Sequence, residues 1–443
     1  MKKRCLFGAL LLAASLSLNA CGYRTVQEMY RFPKRTQEYT ALQSTIEQAM
    51  SGMEFASPVT GENQQTVQTA DLDGDGRQEY LVFARENSEK PLKILIFHET
   101  EDEQYYLMET LHMNGSAFEA VEYADMDGRP GKELVIGRRL SNQVMRIAAV
   151  YSFADGQSDQ LINTIYTKFL TTDLDEDGIQ ELVVIREGDT DVSAGSSVIY
   201  TLQGESMERS REVRLSQRVE QIKRVKISRL QSGEPAVYVS STINDSAIVT
   251  DVLMMKNGEF INLNSTGRLA YSVKALRNYY LYMSDIDEDG IMELPSLLDM
   301  RSVHPELEST EPQQLVYWYA IDSEGRQTEK LYTFHNVEGG WYLRLNIDAN
   351  QADRMSVERD GQKLNFYIWD EGFEDARLLF SIRTLTGKDR IQEASKDNQI
   401  VLYQTDSVIY TAKLETGGLA SGITQEYLAD SFRLMGIDSK KEG

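Results

Sequence analysis

One acidic phrase occurs four times in this chain, each time ahead of a run of apolar residues, and it constrains the fold more than any other feature. The copies are Asp71-Leu-Asp73-Gly-Asp75-Gly-Arg77-Gln-Glu79, Asp125-Met-Asp127-Gly-Arg129-Pro-Gly-Lys-Glu133, Asp173-Leu-Asp175-Glu-Asp177-Gly-Ile179-Gln-Glu181 and Asp285-Ile-Asp287-Glu-Asp289-Gly-Ile291-Met-Glu293. Carboxylates at positions 1, 3, 5 and 9 of a tight Gly-bearing loop can wrap oxygens around a hard cation. Calcium is the natural candidate, because it takes many carboxylate and carbonyl oxygens in flexible geometry. The position-7 carbonyl, from Arg77, Ile179 or Ile291, is a further expected ligand.

The copies begin 54, 48 and 112 residues apart, and the last interval is two steps of 56. One such step from Asp173 lands on Arg229, in a segment that keeps a Leu, a Gly and an apolar run but has lost its acids. It reads as a fifth, degenerate repeat. A fixed period near fifty residues points to a propeller or a solenoid.

Between the acidic phrases the pattern is that of strands. Alternating and β-branched runs separated by Gly, Asp and Asn give four strands in the first unit (65–70, 80–85, 92–98, 105–112) and four in the second (118–124, 133–137, 144–153, 161–167). The third offers 183–187, 197–202 and 212–215. Four short strands per repeat suit a propeller blade better than a solenoid rung. Ahead of them, Tyr39, Leu42, Ile46 and Met50 mark an amphipathic helix over 36–53 that packs across the first unit or the hub. Beyond 340 the acidic phrase stops, strands continue (341–345, 363–369, 377–385, 400–405, 407–414), and 423–435 reads as a terminal helix. The expectation is a mainly β chain: a β-propeller of four-stranded blades, with five recognisable repeats and room for seven blades. The divisions expected are 1–20 signal, 21–62 tether and helix, 63–340 propeller, and 341–443 a β-rich region, read as a separate small domain rather than closing blades.

The amino terminus is read as a targeting segment. A basic start (Lys2, Lys3, Arg4) precedes an apolar stretch to Leu18, too short to span a bilayer comfortably. Leu18-Asn-Ala-Cys21 resembles the bacterial lipobox, which implies export, lipid on Cys21 and attachment to the outer face of the cell membrane. The two cysteines, Cys5 and Cys21, would then leave no disulfide in the mature protein. A formal net charge of −23 argues against nucleic-acid binding and against adhesion of the protein body to anionic headgroups.

The acidic loops are not EF-hands. That motif has helical flanks and a bidentate Glu at position 12, where this chain has Val82, Ile136, Val184 and Ser296. Asp and Gly favour turns on their own, but a turn does not need acids at three or four fixed alternate positions. In the second loop Arg129 stands where the third ligand belongs and Pro130 where the flexible Gly belongs, so Arg129 can replace the ion with its own charge. The expected metal set is Asp71, Asp73, Asp75, Arg77 and Glu79; Asp125, Asp127 and Glu133; Asp173, Asp175, Asp177, Ile179 and Glu181; and Asp285, Asp287, Asp289, Ile291 and Glu293.

An Ala or Ser, or here once a Thr, then Asp-x-Asp-x-Asp-Gly-x-x-Glu and an apolar strand, at blade spacing, resembles the integrin-α-like propeller family. Its bacterial relatives are the FG-GAP or VCBS repeat proteins. The likeness covers about residues 65–336, without the Phe-Gly and Gly-Ala-Pro tags. It implies calcium between the first two strands of certain blades, stiffening them without performing chemistry.

No Walker loop, nucleophile elbow or dinucleotide fingerprint occurs, and the four histidines (His98, His112, His304, His335) lack metal-pair spacing. Tyr317-Trp318-Tyr319 reads as alternating core and surface on a strand. Two function classes follow. One is a non-catalytic surface lipoprotein that binds a protein or glycan or acts as a scaffold; the other is a carbohydrate-active lyase or hydrolase on a calcium-bearing propeller.

Overall fold

The structure is a computed structural model and describes residues 37–100, 104–140, 145–154, 156–186, 194–216, 221–243, 247–264, 276–277, 281–303, 313–396 and 398–435. The signal segment, Cys21, the tether and His304 lie outside these residues.

The chain is mainly β and folds as antiparallel sheets that follow one another along the sequence. In each of the first four, sequential strands pair with one another in a meander. The first takes Val67–Ala70, Glu79–Arg85, Leu92–Glu99 and Tyr105–Met113, with Glu54–Phe55 extending its edge. The second takes Ala117–Ala124, Glu133–Arg139, Arg146–Ser152 and Asp159–Tyr166, and the third Lys168–Thr172, Glu181–Arg186, Ser196–Gln203 and Ser206–Arg214. The degenerate repeat forms a fourth sheet of its own: Ile222–Arg229, Pro235–Ile243, Ala247–Lys256 and Glu259–Asn262, with Leu276–Arg277 added.

Neighbouring sheets pack face to face, and this explains the continuous apolar runs after each acidic loop. Side chains alternate across a strand, so a strand between two neighbours is apolar on both faces. On the second strand of the second sheet, Leu134 and Ile136 join the core shared with the first sheet, while Val135 joins the core shared with the third. In the third sheet Leu182 and Val184 face back, and Val183 and Ile185 face the fourth. In the fourth, Val237 and Val239 face back while Ala236 and Tyr238 face the fifth. The face of the first sheet turned away from the second is covered by the helix Gln37–Ala49, whose Leu42 and Ile46 pack on Val82, Ala84, Leu95 and Phe97. Among the described residues no helix is long and apolar enough to cross a membrane.

Two expectations about the carboxyl-terminal part are corrected. Trp341–Leu345 pairs with Gln327–Asn336, so it completes the fifth sheet, which also holds Leu294–Asp299 and Gln314–Ile321. A division at 340 therefore cuts a sheet. The acidic phrase marks where a sheet begins, not where it ends. The sixth sheet (Met355–Asp360, Lys363–Ile368, Arg377–Thr386, Val408–Leu414, Ile400–Gln404) shares one core with the fifth, in which Phe334 meets Phe366 edge-on and Phe366 stacks on Phe380. The terminal helix spans only Gln425–Ser431, capped by the Thr424 side chain. Phe432–Leu434 then pairs with Trp341–Leu343, because alternating Phe432 and Leu434 fit a sheet edge better than a further helical turn.

Candidate metal centre

The first three acidic loops each join the first two strands of their sheet, and the fourth stands between the isolated bridge residue Ser284 and the first strand of the fifth sheet, Leu294–Asp299. The residue before the loop pairs with the Glu at position 9: Ala70 with Glu79, Ala124 with Glu133, Thr172 with Glu181, and Ser284 with Glu293. Reversing the chain so tightly needs left-handed backbone. Position 4 supplies it in every loop, at Gly74, Gly128, Glu176 and Glu288. The two glutamates adopt φ of 60° and 66°, a conformation that costs a side chain roughly 1–2 kcal/mol, and each holds an arginine: Glu176 pairs with Arg229 of the next sheet and Glu288 with Arg344 of its own, both at 3.0 Å.

The four position-9 glutamates are 0, 3, 4 and 0% exposed, and each accepts the position-2 backbone N–H, from Leu72, Met126, Leu174 or Ile286, at 2.7–2.9 Å. Burial pushes all four carboxyls above the usual range, Glu181 to about 7 and Glu293 to about 8. A buried carboxylate beside two or three others is costly without a counter-charge. The aspartates also use loop N–H groups: Asp75, Asp177 and Asp289 each accept, at 2.8 Å, from the position-7 residue (Arg77, Ile179 or Ile291).

The loops differ in what sits against their acids. In the third, one oxygen each from Asp173, Asp175, Asp177 and Glu181 lie within 4.8 Å of one another. Among the described residues no basic side chain pairs with these four, and Asp173 Oδ1 is buried without a hydrogen-bond partner. That donor set fits a hard cation with many oxygen ligands. In the first loop Asp71, Asp73 and Glu79 converge, and His98 joins Asp73 and Asp75 in a second grouping. His98 Nδ1 lies 2.8 Å from Glu79 Oε1, and its Nε2 lies 3.8 Å from Asp75 Oδ2. In the fourth loop Asp285, Asp287 and Asp289 converge, Lys330 Nζ reaches Asp289 Oδ2 at 2.7 Å, and Glu293 stands beneath with Oε1 buried and unpartnered. In the second, Asp125, Asp127 and Glu133 converge, but Arg129 turns back on Asp127, with Nη2 and Nε 2.6 and 2.7 Å from Oδ2. A guanidinium thus stands where an ion would. His98 and Lys330 were not legible as loop partners, since they come from strands 19 and 41 residues distant from Glu79 and Asp289.

Successive loops are also joined to each other. The position-8 N–H of one loop donates to the position-1 carbonyl of the loop before: Lys132 to Asp71 at 2.9 Å and Gln180 to Asp125 at 2.7 Å. Met292 makes the corresponding, longer bond to Arg229 at 3.4 Å, which places Arg229 at position 1 of the degenerate repeat. Next to these bonds, Pro130 fills the space over Gly74, and Ile179 packs on Gly128. The first three acidic loops therefore lie side by side at one end of their sheets, and the fourth lies beside the degenerate repeat.

No protein-family model matches the sequence, and no curated protein does. Among solved structures, the chain is similar to the exotype rhamnogalacturonan lyase YesX (TM-score 0.31, 13% identity, 78% of this chain and 81% of that one). It is similar also to the rhamnogalacturonan lyase YesW (TM-score 0.31, 12% identity, 72% and 76%) and to Bacillus licheniformis rhamnogalacturonan lyase PL11 (TM-score 0.30, 12% identity, 77% and 80%). Likeness of this degree carries no argument about activity.

Proposed function

We propose that this chain is a cell-surface lipoprotein, anchored through Cys21 on the outer face of the bacterial membrane, whose sheets are calcium-stiffened blades of the integrin-α-like FG-GAP and VCBS type, and that it binds a protein or glycan without chemistry of its own. In this reading the blades form a propeller-like arc, with the helix Gln37–Ala49 covering the first blade where a closing neighbour would otherwise pack. The observation that carries the proposal is the set of bonds from loop to loop, Lys132 to Asp71 and Gln180 to Asp125. An ion ordering one loop thereby orders its neighbour, which is a structural use of a metal. The residues that would hold it are the carboxylates at positions 1, 3, 5 and 9, and the ion would supply neutralising charge.

The enzymatic alternative, a lyase or hydrolase, needs acid and base groups converging outside the loops. The strongly buried carboxylates found elsewhere have structural partners: Glu122 accepts from the Thr171 N–H and hydroxyl, and Asp251 from Ser216 and Asn262. The deciding experiment incubates the calcium-loaded mature protein with cell-wall and glycan extracts. Retention of a component without change in its chain length supports binding. New chain ends in the glycan would replace this reading with the enzymatic one.

A further inference from the structure

The seal between loops fails at one junction, the one between the third acidic loop and the degenerate repeat. The Arg229 hairpin is one residue shorter than the acidic ones: Ser228 pairs with Ala236, eight positions on, where Ala70 pairs with Glu79, nine positions on. Position 4 of the third loop is Glu176, whose carboxylate meets the Arg229 side chain at 3.0 Å, and among the described residues no loop-to-loop backbone bond joins Asp173 to this hairpin. A cleft of about 320 Å³ opens there instead. Asp175 and Glu181 of the third loop line it, so its floor is the one acidic loop with no basic side chain on its aspartates.

We propose that this cleft admits a vicinal diol of a neutral sugar, whose hydroxyl oxygens complete the coordination of an ion held by Asp173, Asp175, Asp177 and Glu181. The proposal rests on the calcium reading above and names a ligand class for it. Calcium takes six to eight oxygens; the one oxygen that each of these four side chains brings together, with the Ile179 carbonyl as the expected fifth, falls short of that, and Asp173, Asp177 and Glu181 also spend oxygens on the N–H groups of Gly178, Ile179 and Leu174. The walls favour a neutral ligand over a uronate. Glu176 and Glu234 add negative charge, Arg229 is engaged by Glu176 and the Gly233 carbonyl, and Arg211 is the one basic residue lining the cleft. Carboxylates accept hydrogen bonds from sugar hydroxyls, and Ile199, Pro235 and Met255 offer apolar surface to the ring carbons.

The test uses terbium as the ion. One protein keeps only the third loop (Asp73→Asn with Asp287→Asn); a second keeps the others (Asp175→Asn). Emission lifetimes in water and heavy water report the water bound to the ion. Methyl glycosides of mannose, galactose and glucose are the probes, with galacturonate as the anionic comparison. The expected result is more bound water in the third-loop protein, lost on adding a neutral glycoside, with no response in the Asp175→Asn protein. Thr201→Trp, which fills the cleft, should keep terbium emission and lose the sugar response. A bound terbium that ignores every neutral glycoside, a response to galacturonate alone, or an unchanged response in Thr201→Trp would overturn the proposal. Absence of terbium emission from every variant would instead remove the metal reading, and this proposal with it.

Discussion

Arg129 lays its guanidinium on the Asp127 carboxylate, Nη2 to Oδ2 at 2.6 Å, where the neighbouring loops present a third acid. One of the second loop's three acids is thus paired from within. Replacing Arg129 with Asp and Pro130 with Gly recreates the phrase of the first loop. The double variant is expected to take up one more calcium per chain than the parent by native mass spectrometry. An unchanged ion count would mean that more than the arginine closes this loop.

Calcium removal is expected to destabilise the fold. An ion that binds only the folded state and is present at a hundred times its dissociation constant contributes about 2.7 kcal/mol. Excess chelator should lower the melting temperature of the parent, and lower it less in Asp175→Asn, which has one site fewer to lose. Identical melting curves with and without chelator would remove the calcium claim.

Two glycines separate backbone strain from close packing. A Cβ on Gly178, φ +93°, meets nothing within 4 Å, whereas a Cβ on Gly74, φ +75°, lies 2.3 Å from the Pro130 backbone. Gly178→Ala should cost roughly 1–2 kcal/mol from left-handed strain alone. Gly74→Ala should cost about 2 kcal/mol more, because the second loop must move. Urea unfolding in chelator gives both values, and equal losses would contradict the contact between the first two loops.

His335 gives the fold an acid-sensitive point. Its Nε2 lies 2.7 Å from the Thr333 hydroxyl, which also accepts the Trp318 indole N–H, and its ring stacks on Tyr342. Burial pushes its pKa down to about 4. The folded state therefore favours the neutral ring. The associated stability is complete above the unfolded value near 6.5 and is lost as pH falls from there towards 4, a total of about 3 kcal/mol at most. Between pH 7 and pH 5 the parent should lose more stability than His335→Gln. Parallel losses would show that other groups set the acid limit.

Lipid attachment is expected to depend on Cys21. The parent expressed in bacteria should partition with membranes, and Cys21→Ser should not. A Cys21→Ser protein processed and retained like the parent would rule out the lipobox reading.

What the sequence revealed was what is local. The hairpin around each acidic phrase, the Glu at its end and the doubly buried strand behind it follow from residues within about a dozen positions of each other. The short strand Lys168–Thr172 was missed because only Thr167 separates it from Asp159–Tyr166, leaving no turn residue to mark the boundary. The groups that set the loops apart were not legible either. His98 and Lys330 reach their loops through strand pairing, and an isolated His or Lys on a strand gives no sign of which acid it will meet. The same holds for Phe432–Leu434, whose partner strand begins at Trp341.

The bonds from Lys132 to Asp71 and from Gln180 to Asp125 fasten the sheets along one edge, as a spine holds pages. The shortened Arg229 hairpin is a missing stitch. A pull on the amino-terminal side of the stack would be carried through the first three sheets as a unit, and the stack would bend first between the third and the fourth.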